Sequence, residues 1–593
     1  MTAKCVSSVI MSLTSNYLKR RILDKIKQLK SSAYGDLTLN LEHNRNNYQL
    51  ILLTKVNLQN KEIIRLLAKW RKMHEKWFPA QFKVTEEGTK KWLKEKVIDT
   101  TDRLLFMIKA DGKYIGHIGL FRFDFDNMTY EIDNIVRGEP LHPGIMTDAI
   151  SKMMYWGKKE LGIKIYKLQT FSHNARAFNI YSKLGFREIK RTPLMQIKKK
   201  GRIEWVEAPK NYNKKIKRFN VFMRYKKISF AGPSITEKEV EYVVDGVTRG
   251  FYETFEQHIK KLEKAVADYV GMKYALAGFC ATHSLHLACL VCGFKKGDEV
   301  ICTDFSWVAT AYVITYTGAT PIFVDIDPNT WCIDPKAIES AITKKTKGIM
   351  LVHSYGYPAQ MDEIMRIAKK YKLKVIEDAA PSLGSTYKNK KVGSFGDVNC
   401  FSFHGAKIAA SGEGGMLLTN NKEYYEKAIL LSNMYRTNRL ANFWSDGLAY
   451  EYQIANVTAA LALAQVERIE ELVKIKRQIF NWYYNGLKDV KEVRVLKESP
   501  GTRSNYCYPS VLLKTDKISR DDLVVELSKF NIHGRVVFPR MSRFPIYKNL
   551  KRLPNPVASE VEKYGFNLPA AANLTKEDVD YVCETLKKIL RSK

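Results

Sequence analysis

Two rhythms of apolar and polar positions run along this chain. Leu104–Lys109 and Tyr114–Leu120 are apolar-rich runs on either side of Asp111-Gly112, which predicts a hairpin with a tight turn. Met128–Val136 alternates apolar and polar positions and predicts a further strand. Met146–Leu161 follows helical spacing, Lys164–Thr170 reads as a strand, and Asn174 opens a helix that closes around Tyr181–Arg187. Farther along, Cys280–Leu287 places small and hydroxyl residues ahead of an apolar helical stretch. Val375–Ala380 is a short apolar run ending in carboxylates, with helical patterns on both sides, so a buried parallel strand is predicted. Strands alternating with helices in this way predict an α/β fold throughout. No apolar run approaches the ~18 residues that a spanning helix needs, so no membrane span is expected.

Within the second half, Phe401–Lys407 sets one lysine after an apolar strand and before the glycine-rich Ser411–Met416. A lysine so placed can hold pyridoxal phosphate as a Schiff base, the cofactor acting as electron sink. Asp378 stands at the C-terminal end of its predicted strand, where α/β sheets bind ligands. It can face a pyridine nitrogen or cap the next loop. Thr282, with the free N–H groups of a helix start, can cup a phosphate or serve as a plain N-cap. Ser402, five residues before Lys407, can add a second hydroxyl, and Trp307 is either core or a ring that stacks on the cofactor.

In order and spacing these segments resemble the DegT/DnrJ/StrS sugar-nucleotide aminotransferases of fold type I, from about Ser229 to Lys593. Gly297–Val300, Gly318–Asp327, Val352–Asp362 and Asn567–Pro569 extend the resemblance. It implies that Lys407 forms the internal aldimine and shuttles the proton, and that Asp378 holds the pyridine nitrogen. It further implies that Ala281, Thr282 and Ser402 lie at the phosphate and that Trp307 stacks on the ring. Family members with His in place of Lys407 are dehydratases, so transamination is implied here. Arg535–Tyr547 looks like the perosamine-synthase-like branch, which aminates C4 of a nucleotide-linked 4-keto-6-deoxyhexose with glutamate as donor. Such enzymes build their sites across a homodimer. Glu451-Tyr452-Gln453 stands where the family has Asn-Tyr-Arg. A carboxylate repels phosphate, so the resemblance does not extend to that cross-subunit contact.

Charge divides the chain. Residues 1–230 carry 47 Lys+Arg against 21 Asp+Glu, which is +26 of the total +35. A basic half suits an anionic partner such as coenzyme A or a sugar diphosphate, or reflects a Lys-rich composition. No nucleic-acid signature accompanies it, and no nucleic-acid partner is expected. The order of elements over about Tyr34 to Lys227 resembles the GNAT N-acetyltransferases. Asn174, Ala177, Tyr181 and Gly185-Phe186 match that family's closing motif. The resemblance implies that Asn174 contacts acetyl-CoA and that Tyr181 protonates the departing thiolate. Pro143-Gly144-Ile145-Met146 sits at the family's pyrophosphate loop, although the usual glycine-rich pattern is degenerate. Glu131 and Asp133, two apart on one strand face, are candidate general bases, with His142 a further one.

The expected organisation is an extension over 1–33, a GNAT-like domain over 34–228, and a pyridoxal-phosphate aminotransferase over 229–593. The last divides into a large domain to about 475 and a small one from about 476. Val9–Met11 followed by Lys19-Arg20-Arg21 does not match a secretory signal, and an amphipathic lead-in or tail is expected there. Nine cysteines without metal spacing point to reduced thiols in the cytoplasm and to no metal site. The joint expectation is transamination of a sugar nucleotide followed by acetyl-CoA-dependent N-acetylation. The alternative is an aminotransferase carrying a non-catalytic basic binding module.

Overall fold

The computed structural model describes residues 19–592, apart from 32–36, 44–45, 126–127, 141, 164, 200, 210, 213–214, 438–443 and 551–552. The chain folds as two compact units that meet in sequence between Lys226 and Lys227.

The first unit is built on a ten-stranded sheet. In spatial order its strands are Thr38–His43, Asn46–Leu52, Leu104–Ala110, Lys113–Asp124, Thr129–Arg137, Ile165–Phe171, Arg218–Tyr225, Phe186–Lys199, Arg202–Glu207 and Ala80–Phe82. The expected hairpin turns at Asp111 and Gly112, whose φ values of 47° and 78° give the left-handed pair a two-residue turn requires. Both sheet faces are covered. Leu104, Phe106 and Ile108 enter one core with Ile145, Ile150 and Tyr181, while Leu105 and Met107 enter another with Leu67 and Trp70. Strict alternation along one strand thus feeds two cores. Of the expected N-terminal extension, residues 19–30 form a helix whose Ile22, Ile26 and Leu29 are buried in the first of these cores. Residues 1–18 and 32–33 lie outside the described residues.

One feature of this sheet positions a site. Thr129–Arg137 and Ile165–Phe171 pair in parallel only from Thr129↔Ile165 to Glu131↔Lys167. Beyond Glu131 the two strands part, leaving a wedge between them.

The second unit centres on a seven-stranded sheet in the order Tyr274–Gly278, Gly415–Thr419, Val398–Ser402, Lys374–Asp378, Thr346–Val352, Glu299–Thr303 and Thr320–Val324. The five strands from Val398–Ser402 onward are parallel, and Gly415–Thr419 is antiparallel to both its neighbours. The expected strand over Val375–Ala380 is Lys374–Asp378, every residue of it buried from Val375 on. A four-stranded antiparallel sheet of Val493–Val495, Ser510–Leu513, Gly565–Asn567 and Arg535–Val536 follows. The helix Ile469–Leu487 runs through the position at which the sequence divides large from small domain.

Candidate active sites

Parallel strands place their C-terminal ends along one edge of the second unit's sheet, and functional side chains gather there. Asp378 ends its strand and is 5% exposed. The Thr310 hydroxyl donates to its Oδ2 at 2.8 Å and the Ala380 N–H to its Oδ1 at 3.2 Å. Thr310 has one proton and spends it on Asp378, so the Ser306 hydroxyl, 3.2 Å away, donates to Thr310. Burial pushes the Asp378 carboxyl above its usual range, while Thr310 and the charge of Lys407 pull it back. Next to it, Glu377 is fully buried and accepts from His353 Nε2 at 2.9 Å and from the Gly393 and Gly396 N–H groups. The Ala359 N–H donates to His353 Nδ1, which fixes the tautomer with the proton on Nε2. Burial raises the Glu377 carboxyl, but His353 and the amides outweigh it and hold it below its usual range.

Lys407 follows the buried Val398–Ser402 strand in a loop closed by Gly405 N–H to Gly412 O at 2.9 Å and Lys407 N–H to His404 O at 2.8 Å. The Tyr508 hydroxyl donates to Ala406 O at 2.5 Å and steadies the residue before it. The Lys407 ammonium itself makes no hydrogen bond or ion pair among the described residues. Gly412 and Gly414 carry φ of 90° and 137°, which a side chain would strain.

Helix Ala281–Val291 starts without a capping side chain, and its first bonded amide is that of Ser284. The N–H groups of Ala281, Thr282 and His283 therefore stay open, which is an anion cup. Gly415 lies directly beneath: a Cβ there would stand 2.4 Å from the Cys280 carbonyl carbon. The buried Ser402 hydroxyl accepts from the His404 N–H at 3.2 Å, leaving its own proton to donate. Trp307 is 62% exposed, so the core reading of it falls. Its ring stands 6.2 Å from that of Phe538, which stacks on Tyr355.

In the first unit, the parted strands bring Glu131, Asp133 and Tyr181 together. Arg122, at φ 57°, reaches Glu131 with Nε at 2.7 Å and Asp133 with Nη2 at 2.5 Å. Burial works to lower the Arg122 pKa, yet the two carboxylates carry it above its ordinary value. Tyr181 is 7% exposed, and its phenol is pushed up first by burial and then by the charge of Asp133. Asn174 caps helix Ala175–Lys183 by accepting from the Ala177 N–H at 3.2 Å. Gly144, at φ 96°, caps helix Ile145–Leu161. Ile145 and Met146 turn their side chains into the core, and the Ile145 and Thr147 amides bond within the turn. Leu141, which opens the loop, lies outside the described residues. His142 sits between Tyr48, 3.1 Å from Nδ1, and Asp111, 3.3 Å from Nε2.

A sequence model of the DegT/DnrJ/EryC1/StrS aminotransferase family matches residues 233–587. The chain belongs to that family. An acetyltransferase (GNAT) domain model matches residues 51–187. The GDP-perosamine synthase of Escherichia coli O157:H7 is 38% identical over 364 residues, covering 61% of this chain and 98% of that enzyme. The GDP-perosamine synthase of Caulobacter vibrioides is 37% identical over 368 residues, with the same coverage of 61% and 98%. Among solved structures, a Streptococcus pneumoniae chain described as a sugar aminotransferase, in its PMP form, is 28% identical with a TM-score of 0.58. That match covers 62% of this chain and 99% of the other.

This DegT/DnrJ/EryC1/StrS aminotransferase, joined to a GNAT domain, has residues that fit pyridoxal phosphate. A lysine unpaired among the described residues, a buried carboxylate whose pKa burial raises, and an uncapped helix start over a glycine floor match the aldehyde, the ring nitrogen and the phosphate in turn. Sequence reasoning missed Thr310 and Ser306, which hold Asp378, and Arg122, which ties Glu131 to Asp133. Thr310 lies 68 residues from its partner, and nothing local marks such a pairing.

Proposed function

We propose that the aminotransferase unit converts a nucleotide-linked 4-keto-6-deoxyhexose to its 4-amino sugar with glutamate as donor, and that the GNAT unit acetylates the new amine from acetyl-CoA. The observation that carries the first step is an unpaired Lys407 whose charge reaches the buried Asp378. Pyridoxal phosphate, when bound, supplies the electron sink for amino transfer. Lys407 Nζ takes the proton from the substrate carbon and returns it. Asp378, held by the Thr310 hydroxyl, faces the ring nitrogen, and a cationic nitrogen there would favour its anion. The amides of 281–283 with the Thr282 and Ser402 hydroxyls bind phosphate, and Trp307 covers a flat ring. Similarity to two GDP-perosamine synthases supports C4 as the aminated carbon.

In the second step the amine nitrogen bonds to the acetyl carbon and the carbon–sulfur bond breaks. Tyr181 Oη gives its proton to the leaving thiolate. Asp133, the more open of the two carboxylates at 35% against 11% side-chain exposure, takes the proton from the amine. Glu131 anchors Arg122. The parted strands leave backbone groups beyond Glu131 to receive the acetyl-CoA arm, with Asn174 at one end and Pro143–Met146 at the other. Transamination makes the neutral amine that acetylation consumes, and one chain keeps the two sites at high effective concentration.

Exposed Phe251, Tyr252, Phe255 and Phe279 of the aminotransferase unit support a homodimer through that unit. Among the described residues no helix is long and apolar enough to cross a membrane. The proposed compartment is the cytoplasm.

Mass spectrometry of products tests the reading. With glutamate, acetyl-CoA and either GDP-4-keto-6-deoxymannose or dTDP-4-keto-6-deoxyglucose, one substrate gains an amine and then an acetyl group. An amine that stays unacetylated, with no thiol released, leaves the basic unit as a binding module.

A further inference from the structure

Five flat groups line up at one end of the first unit's sheet. Trp77 stacks on His173 with ring centres 5.1 Å apart, and His173 on Phe171 at 5.8 Å and 10°. The Arg218 guanidinium lies 4.7 Å from the centre of Phe171 and 4.0 Å from that of Trp205. Four chain segments far apart in sequence contribute. The sheet holds them in place: Asn220 pairs with Phe171, the Ser172 N–H donates to Phe219 O at 2.9 Å, and the Trp205 N–H donates to Pro79 O at 2.8 Å.

The cluster is short of acceptors. The Arg218 guanidinium makes no hydrogen bond and no ion pair with any described residue, while its backbone pairs with Leu194 in the sheet. Its Nη1 and the neighbouring Trp205 Nε1 are both buried donors without a partner. Burial lowers the Arg218 pKa and no carboxylate offsets it. The His173 imidazole is lowered by burial and then by the charges of Arg218 and Lys76. The Lys76 ammonium stands 5.1 Å over the Trp77 ring. The half-buried guanidinium keeps further N–H groups that no described residue accepts, and a ligand that brings acceptors can take them. Stacking faces beside an unpaired guanidinium and a second cation suit a flat base joined to phosphates. His173 immediately precedes Asn174, so the cluster borders the wedge between the parted strands.

We propose that Trp77, His173, Trp205 and Arg218 form a nucleoside-diphosphate subsite that holds the nucleotide of the sugar substrate during acetyl transfer. Assigning the diphosphate to the sugar substrate, and not to coenzyme A, rests on the two-step reading above. The subsite would give the GNAT unit its own grip on the carrier nucleotide, independent of the aminotransferase site.

Equilibrium dialysis of the full chain with GDP, dTDP, CoA and a short oligothymidylate, together with thiol-release kinetics on the amine made in situ, tests this. R218Q should bind one nucleoside diphosphate fewer per chain than the wild type, with CoA binding unchanged. Its KM for the amino-sugar nucleotide should rise about tenfold to a hundredfold, as loss of a charge-assisted hydrogen bond implies, while the KM for acetyl-CoA stays put. W77L should move the same two quantities by less. The steady acetyl-CoA KM shows that the unit remains folded. Unchanged stoichiometry and KM in both variants overturn the subsite. So does loss of CoA affinity in step with GDP, which assigns the cluster to the cofactor, or loss of oligothymidylate binding alone. If R218Q loses one site but the wild type releases no thiol, the acetyltransferase reading fails and the subsite stands.

Discussion

Replacing Thr310 by valine removes one oxygen and little volume, and its consequences follow from the surroundings of Asp378. Thr310 is 1% exposed and its hydroxyl donates to Asp378 Oδ2 at 2.8 Å. In the variant that oxygen has no donor among the described residues, and the Ser306 hydroxyl loses its acceptor. A hydrogen bond to a charged group contributes roughly 1.5–3 kcal/mol, which is about one to two pH units in the titration of the acceptor. The direction needs care. Burial raises the folded Asp378 carboxyl above its unfolded value. As pH climbs through that interval the unfolded chain gives up its proton first, so stability falls with rising pH. Thr310→Val extends the interval upward and deepens the loss at neutral pH, by about 1.5–3 kcal/mol. Urea unfolding of cofactor-free protein at pH 4 and pH 7.5 should show a small difference from wild type at the lower pH and a larger one at the higher. The acid limb of the aminotransfer rate should move up by about one to two units. If stability changes equally at both pH values and the acid limb does not move, Thr310 fills space and does not hold the carboxylate.

Lys407→Ala should abolish the visible absorption of protein-bound cofactor and all amino transfer, while thiol release on a supplied amino-sugar nucleotide continues; residual amination would refute the assignment. Tyr181→Phe should slow acetyl transfer roughly a hundredfold or more, the usual worth of a placed acid, and leave amino transfer untouched. Arg468→Met strands the 1%-exposed Glu239, to which Arg468 Nη1 donates at 2.6 Å. Glu239 keeps Thr236 and Gln465 as donors, so the cost should sit near the lower end of the roughly 3–5 kcal/mol for breaking a buried pair. Burial raises the Glu239 carboxyl, but Thr236, Arg468 and Gln465 together hold it below its usual range. The stabilisation is therefore present above the unfolded carboxylate range and fades as pH falls through the folded value. Denaturant midpoints of wild type and variant should converge in acid, and a constant gap would count against the pair.

Local pattern carried much of this protein. The alternation in Leu104–Lys109, the Asp111-Gly112 turn and the apolar Val375–Asp378 run each determine their element, because side-chain direction repeats every two residues and a turn needs residues that tolerate positive φ. The order and spacing of segments around Lys407 and Asp378 were enough to recognise a sugar aminotransferase, and those around Tyr181 a GNAT domain. Both families appear in the sequence comparisons. Tertiary structure alone decided which groups share a charge. Thr310 reaches Asp378 across 68 residues, Arg122 binds two carboxylates that the strand pattern merely placed on one face, and Arg218 lies between rings from distant segments with no acid beside it. Such pairings depend on where sheet register and burial bring distant side chains, and on which donors are then left without acceptors. Neither quantity is encoded in the spacing of any one segment.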